Sequence, residues 1–323
     1  MEGEAMKISV REVFQLSERC FSAAGFAEGP AQANAETMWW TETYRGSGLT
    51  TLHGLLDELF ELDRTQLALR DRSSMVSVID SNDQPSLISS TPALDLSCTR
   101  AKQHGIGIAY STISHHDNTL PTLGHIAHKA AERGLLSIVL SANSEAESAT
   151  IVGAPDYPQP RIIELELAAP SVSYTELLNV IRTDLHYQHH SPLIQAFFKG
   201  SEDTHRSAAD ERLVDRLLHR ATKPARDHRS EVDPGFVSIC IKPTHPLRSE
   251  SIRPLVDRFL DDQEAMFTTV FHPQRIQDRT ETLLHEGVEI DRDVWRDIFE
   301  FSSGVLAPPF EGSHRGAGFD LNE

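Results

Sequence analysis

The chain has 323 residues, a 39% apolar content and a formal charge of -18, which suits an ordinary globular protein of one large or two smaller domains. That charge leaves no basic surplus to neutralise phosphates, so nucleic acid and anionic membrane surfaces are excluded as partners. No stretch approaches the roughly 20 consecutive apolar residues that span a bilayer; the charged start MEGEAMKISVREVF lacks a leader core, so the cytoplasm is the expected location.

In chain order, Val10, Val13, Phe14, Leu16, Cys20 and Phe21 recur at helical spacing, and Gly25 stands where that helix would stop. GPAQANAETMWWTETYRG continues as a second helix, with Pro30 near its start and Gly46 near its end. TLHGLLDELFELDRTQLALRD reads as a third, with Leu52, Leu55, Leu59 and Leu62 on one stripe. SMVSVID alternates as a strand, ALDLSCTRAKQHG is a short amphipathic helix, and IGIAYSTIS is a strand. LGHIAHKAAERG is a helix ended by Gly134, followed by the strand LLSIVLSAN. The centre is therefore α/β. RIIELELAAP predicts a strand, SYTELLNVIRTDL a helix, and residues 208–221 an exposed helix inside a charge-dense run. GFVSICIKP is a further strand, SIRPLVDRFLDDQEAM and the segment around Trp295 are helices, and the glycine-containing tail reads as flexible. The expected divisions are 1–74, an N-terminal helical segment, 75–172, a central α/β cofactor-type domain, 173–310, a C-terminal α/β segment packing on the N-terminal part, and 311–323, a tail.

Several motifs are absent. A dinucleotide fingerprint needs three glycines between a strand and a helix, whereas Gly105-Ile106-Gly107 follows a helix and precedes a strand. No P-loop, GxSxG elbow or HExxH occurs. Three dispersed cysteines, Cys20, Cys98 and Cys240, indicate reduced thiols. Sixteen histidines are many, and His115, His116 and Asp117, or His186, His189 and His190, could hold a transition metal. Their spacing is not diagnostic, and solvated loop histidines are the preferred reading. No metal is therefore assigned. His53 and His116 are the candidates for acid–base work near neutral pH.

Four patches carry a resemblance. AAGFAEGPAQANAETMWWTETYRG, RAKQHGIGIAYSTISHH, LGHIAHKAAERGLLSIVLSAN and HPQRIQDRTETLLHEGVEIDRDVWRDI stand in the order that resembles the malate/L-lactate dehydrogenase family. That family comprises non-Rossmann NAD(P)-dependent reductases of 2-oxo acids and cyclic imino acids. The resemblance implies a mixed α/β, non-Rossmann fold, a homodimer, NADH or NADPH as cofactor and a small-molecule substrate. It also implies an acid histidine close after Arg45-Gly46. Carried over, the catalytic candidates are His53, Thr50, Arg45 and His116. The cofactor-binding candidates are His116, Asp117, Gly124, Glu166 and Lys199.

The chain departs from the pattern at its chemistry. Aligned without a gap from Arg45-Gly46, the family's Ser-His-Gly falls on Leu49, Thr50 and Thr51, and its following arginine on Gly54. Placing the histidine at His53 needs a three-residue insertion, which puts the leucine stripe out of phase. The Gly-Thr-Asn-Pro segment is replaced by SEAESATIVGAPDYPQPRII. Two readings follow: a divergent NAD(P)H-dependent oxidoreductase, or a pseudoenzyme or repurposed non-redox protein on the same fold. If Thr50 faces the cleft and His53 does not, the second is favoured.

Overall fold

The computed structural model describes residues 5–72, 76–114, 117–142, 147–153, 155, 159–166, 235–242 and 269–305. The helices expected at SYTELLNVIRTDL, 208–221 and SIRPLVDRFLDDQEAM, and the tail, lie outside the described residues.

Helix α1 (Val10–Ala23) begins at Ser9, whose hydroxyl accepts from the Glu12 amide, and buries Val13, Leu16, Cys20 and Phe21. Helix α2 (Glu28–Arg45) ends at Gly46, left-handed at φ 79°, a conformation that costs glycine little. It runs between two apolar clusters. Ala31 and Met38 enter one, with α1 and α3 (Gly48–Leu55). Trp40 and Tyr44 enter the other, with α4 (Ser86–His104) and α5 (Gly124–Glu132).

That second cluster lies on an eight-stranded sheet of order β2-β3-β4-β8-β5-β6-β7-β9. Its strands are β2 (Ala68–Arg72), β3 (Val76–Asp80), β4 (Ile106–Thr112), β5 (Leu136–Ala142), β6 (Glu147–Gly153), β7 (Arg161–Glu166), β8 (Gly235–Ile241) and β9 (Thr269–Phe271). Among the described residues only β3 and β4 pair in parallel, and the other ladders of this sheet are antiparallel. Strand β8 sits between β4 and β5, with Ile239 opposite Ile108 on one side and Ile138 on the other. All seven of its residues are buried, which is why GFVSICI reads as a run rather than an alternation. The remaining strands, β1 (Ala5–Ile8) and β10 (Val288–Asp291), pair antiparallel with each other. Helix α6 (Pro273–Glu286) packs on α2, while α7 (Arg292–Ser302) follows β10 and lies beside α1 and α3. The cysteines are free and buried.

Three expectations need correction. The long third helix is instead α3, a turn, two short 3-10 segments and β2. Leu52, Leu55 and Leu59 are still fully buried, because i, i+3 and i+4 spacing serves a 3-10 turn almost as well as an α-helix. Helix α4 starts at Ser86, before the predicted stretch, and accommodates Pro92 internally. Ser86 is enabled to start it by acceptors from a loop thirty residues on, as described below. Strand β6 occupies the segment read only as a replacement for a lost motif; its pairing with β5 and β7 is a tertiary property.

Candidate functional site

The corner between α2 and α3 is where the sequence places its chemistry. Glu42, 5% exposed, accepts hydrogen bonds from the backbone amides of Leu49 (3.0 Å) and Gly48. Burial raises the affinity of its carboxyl for a proton, against the pull of those amides and of the Arg279 charge. Gly48 is packed so tightly that a Cβ there would overlap the Met38 carbonyl and lie 2.7 Å from the Glu42 nitrogen. Arg45 is exposed beside it.

Helix α3 turns its leucines inward: Leu49, Leu52 and Leu55 are buried. Thr50 is on the opposite, exposed side, its hydroxyl donating to the Ser47 carbonyl at 3.1 Å. At about 100° per residue, Gly54 lies about 40° from Thr50, and a Cβ on it would stand 3.7 Å from the Asn118 amide nitrogen. Thr50 and Gly54 thus share the face toward the loop after β4. His53 lies about 60° round the other way. Its Nε2 is 3.0 Å from Asp297 Oδ2 of α7, with the two side chains 36% and 43% exposed. The hydrogen bond from His53 holds the Asp297 carboxyl below its ordinary range, helped by the Arg296 charge. The imidazole therefore faces α7, and the threonine side of α3 faces the loop.

In that loop, Asp117 is 2% exposed. Its carboxylate accepts from the Ser86 amide at 2.7 Å and from both the amide and hydroxyl of Thr119, at 2.7 and 2.6 Å. Thr119 Oγ1 in turn accepts from the Leu87 amide at 3.1 Å. Together they cap the N-terminus of α4, satisfying amides that the helix itself leaves unpaired. Burial raises the Asp117 proton affinity despite these bonds. Gly124 opens α5 against the sheet; a Cβ there would meet the Trp40 ring at 2.5 Å and Ile162 at 2.9 Å. Glu166 closes β7 opposite Glu147. His116 and Lys199 lie outside the described residues, as do His115, His186, His189 and His190. Among the described residues, no group of three His, Cys, Asp or Glu side chains could hold a metal ion, and no helix is long and apolar enough to cross a membrane. As they stand, Asp117 and Gly124 do not fit a dinucleotide: one is turned inward onto backbone, the other is filled by Trp40.

Residues that the sequence did not single out organise this region. Glu42 reads as one more helix acid, and Asp297 is separated from His53 by 244 positions, so neither pairing has a local signal. A charged residue near a helix end followed by Gly-x-Gly is the only trace of Glu42's capping role.

No protein-family model matches the sequence, and no curated protein matches it. Solved structures do. Malate dehydrogenase from Pyrococcus horikoshii OT3 superposes with a TM-score of 0.58 at 16% identity, covering 95% of this chain and 97% of that one. A dehydrogenase from Sinorhizobium meliloti gives 0.58 at 16% identity, over 93% and 100%. Sulfolactate dehydrogenase from Methanocaldococcus jannaschii gives 0.55 at 15% identity, over 93% and 97%. The chain therefore has a malate/L-lactate dehydrogenase-like fold, mixed α/β in class.

Proposed function

We propose that this chain is a divergent protein of the oxidoreductase type which keeps the dehydrogenase-like scaffold as a small-molecule binder but lacks the proton donor that the fold's resemblance implies. One observation carries this reading: Thr50, not His53, stands on the face of α3 that meets the loop after β4. A threonine hydroxyl keeps its proton throughout the neutral range and is far too weak an acid to serve as an efficient general acid. Among the described residues of that loop the acid, Asp117, caps α4. Reduction of a 2-oxo acid or cyclic imine at such a corner would lack the roughly 10²–10⁴ in rate that a placed acid supplies. The sheet, with one parallel ladder, supports a binding mode outside the doubly wound parallel arrangement, and a homodimer belongs to the same reading.

A second reading rests on the His53–Asp297 pair. A half-exposed imidazole oriented by a carboxylate is a competent acid–base unit, and with it the chain would be an active NADH- or NADPH-linked reductase. Fluorescence titration with NADH and NADPH, followed by assays on pyruvate, oxaloacetate and a cyclic imine, separates the two. The first reading expects no turnover above background, and no change on His53→Gln. Turnover that falls 100-fold or more in His53→Gln would replace it with the second.

A further inference from the structure

Two of the three cysteines meet in the core. Cys98, on α4, and Cys240, on β8, are 142 positions apart in the chain, yet their sulfurs stand 3.8 Å from each other. Both are free thiols, 2% and 0% exposed. A disulfide needs about 2.05 Å between sulfurs, so closure asks for a small movement shared between two side chains. A buried cysteine ordinarily serves as a small apolar residue. Cys20 does so: its thiol donates to the Ile298 carbonyl at 3.5 Å, and burial pushes it up to about 12.

The two sulfurs of the pair are not equivalent. The Arg133 guanidinium, beyond its 2.8 Å bond to Asp95, also reaches Cys98. An ionised Cys98 would accept from both Arg133 and the Cys240 thiol. An ionised Cys240 would have the Cys98 thiol and neutral hydroxyls, with Ser97 Oγ at 3.4 Å and Ser238 beside it. The bond from Cys240, then the Arg133 charge, hold the Cys98 thiol below its ordinary range against burial, while the same bond and burial push Cys240 up. Cys98 is thus the nucleophile of the two, since the thiolate is the reactive form. Its path to solvent runs along Arg133, whose side chain is 36% exposed. Leu94, one helical turn before Cys98, lines with Arg133 a cleft of about 100 Å³. A long surface side chain has to swing aside for a small molecule to reach the sulfur.

We propose that Cys98 is a peroxide-reactive thiol and Cys240 its resolving partner, the pair closing to a reversible disulfide that ties α4 to β8. The oxidant is a small hydroperoxide, in the simplest case hydrogen peroxide. The Cys98 thiolate attacks one peroxide oxygen; the O–O bond breaks, hydroxide leaves and takes up the proton that Cys98 gave up, and the sulfur becomes a sulfenic acid. The Cys240 sulfur then attacks that sulfur. The S–S bond forms, the S–O bond breaks, and the hydroxyl leaves with the Cys240 proton as water. Two thiols and one peroxide give one disulfide and two waters, and a dithiol reverses the change by exchange. The bond fastens to the sheet the helix whose N-terminus Asp117 caps, and it does not depend on how the α2–α3 corner functions.

Hydrogen peroxide applied to the native full chain, followed by alkylation in denaturant and peptide mapping, tests the proposal. Free thiols should fall from three per chain to one, with Cys98 and Cys240 joined and Cys20 intact, and dithiothreitol should restore all three. Cys98 should react on the order of tenfold or more faster than Cys20, as expected where a cation favours the thiolate. In Cys240→Ala, dimedone should trap the sulfenic acid on Cys98; in Cys98→Ala, Cys240 should stay reduced. Arg133→Gln, at an exposed position, should slow disulfide formation several-fold, and it serves if the cysteine variants do not fold. Three thiols surviving excess peroxide, or Cys98 carried to a sulfinic acid while Cys240 stays free, would overturn the proposal.

Discussion

The C-terminal end of α2 and its middle make opposite use of buried polar groups. At the Arg45–Gly48 end, the buried acids already have backbone to hold: Glu42 caps α3 and Asp117 caps α4. At its middle, around Glu36 and Thr37, Nε2 of the neighbouring His125 has no hydrogen-bond partner among the described residues. The difference teaches where to look for function on a divergent scaffold. Residues at positions where a resemblance expects a ligand contact can be structural once their oxygens bind backbone amides, whereas a buried polar nitrogen left unpaired costs stability of order 1–3 kcal/mol.

The comparison can be broken most sharply at Gly48. Gly48→Ala drives a Cβ into the Met38 carbonyl, and since backbone must move, a loss of about 3 kcal/mol or more is expected in urea denaturation. A loss below about 1 kcal/mol would show that the corner is loose, with room for Thr50 and His53 to rearrange. Asp117→Ala strands the Ser86 and Thr119 amides, and about 2–3 kcal/mol should disappear from the unfolding free energy. If stability holds while small-molecule binding is lost, Asp117 is a ligand residue and the structural assignment fails.

A pH series probes the middle of α2. The folded-state proton affinity of His125 is pushed well below its ordinary value near 6.5, so below that pH the unfolded chain takes up a proton that the folded chain refuses. Stability from this residue is therefore full above about pH 6.5 and falls as pH drops, with a limiting slope of about 1.4 kcal/mol per unit. His125→Phe should lose that slope, so that it appears in the difference between wild type and variant; a difference independent of pH would mean that the folded ring takes up the proton as readily as the unfolded one. The smallest effect concerns His53 and Asp297. As a half-exposed pair, it should couple by less than about 1 kcal/mol in a double-mutant cycle of His53→Gln and Asp297→Asn. Coupling above 2 kcal/mol would mark a pair held more rigidly than a surface contact, favouring the active-reductase reading.

Much of the architecture was legible before any coordinates. Helices α1 and α2, with their stops at Gly25 and Gly46, strands β3, β4, β5 and β8, and the inward leucines of α3 all follow from periodicity and glycine punctuation. The site was legible only in part. The gapless reading that sets Thr50 at the acid's position agrees with Leu49, Leu52 and Leu55 being buried, because a helix cannot turn a different residue outward without also moving its apolar face. His125 carries no signal of its own in the helix LGHIAHKAAERG, since a histidine on an amphipathic helix looks the same whether both nitrogens are answered or one is.

What the sequence determined by itself was local: which segments form helices and strands, which faces are apolar, and which motif residues are missing. Only the tertiary structure decided partners. Asp297 reaches His53 across 244 positions, Asp117 reaches back 31 to cap α4, and Thr37 meets His125 across 88. Periodicity records the face that a side chain presents. Hydrogen bonds depend on ångström-scale placement between elements distant in the chain, and there the buried acids found amides while one nitrogen of His125 did not.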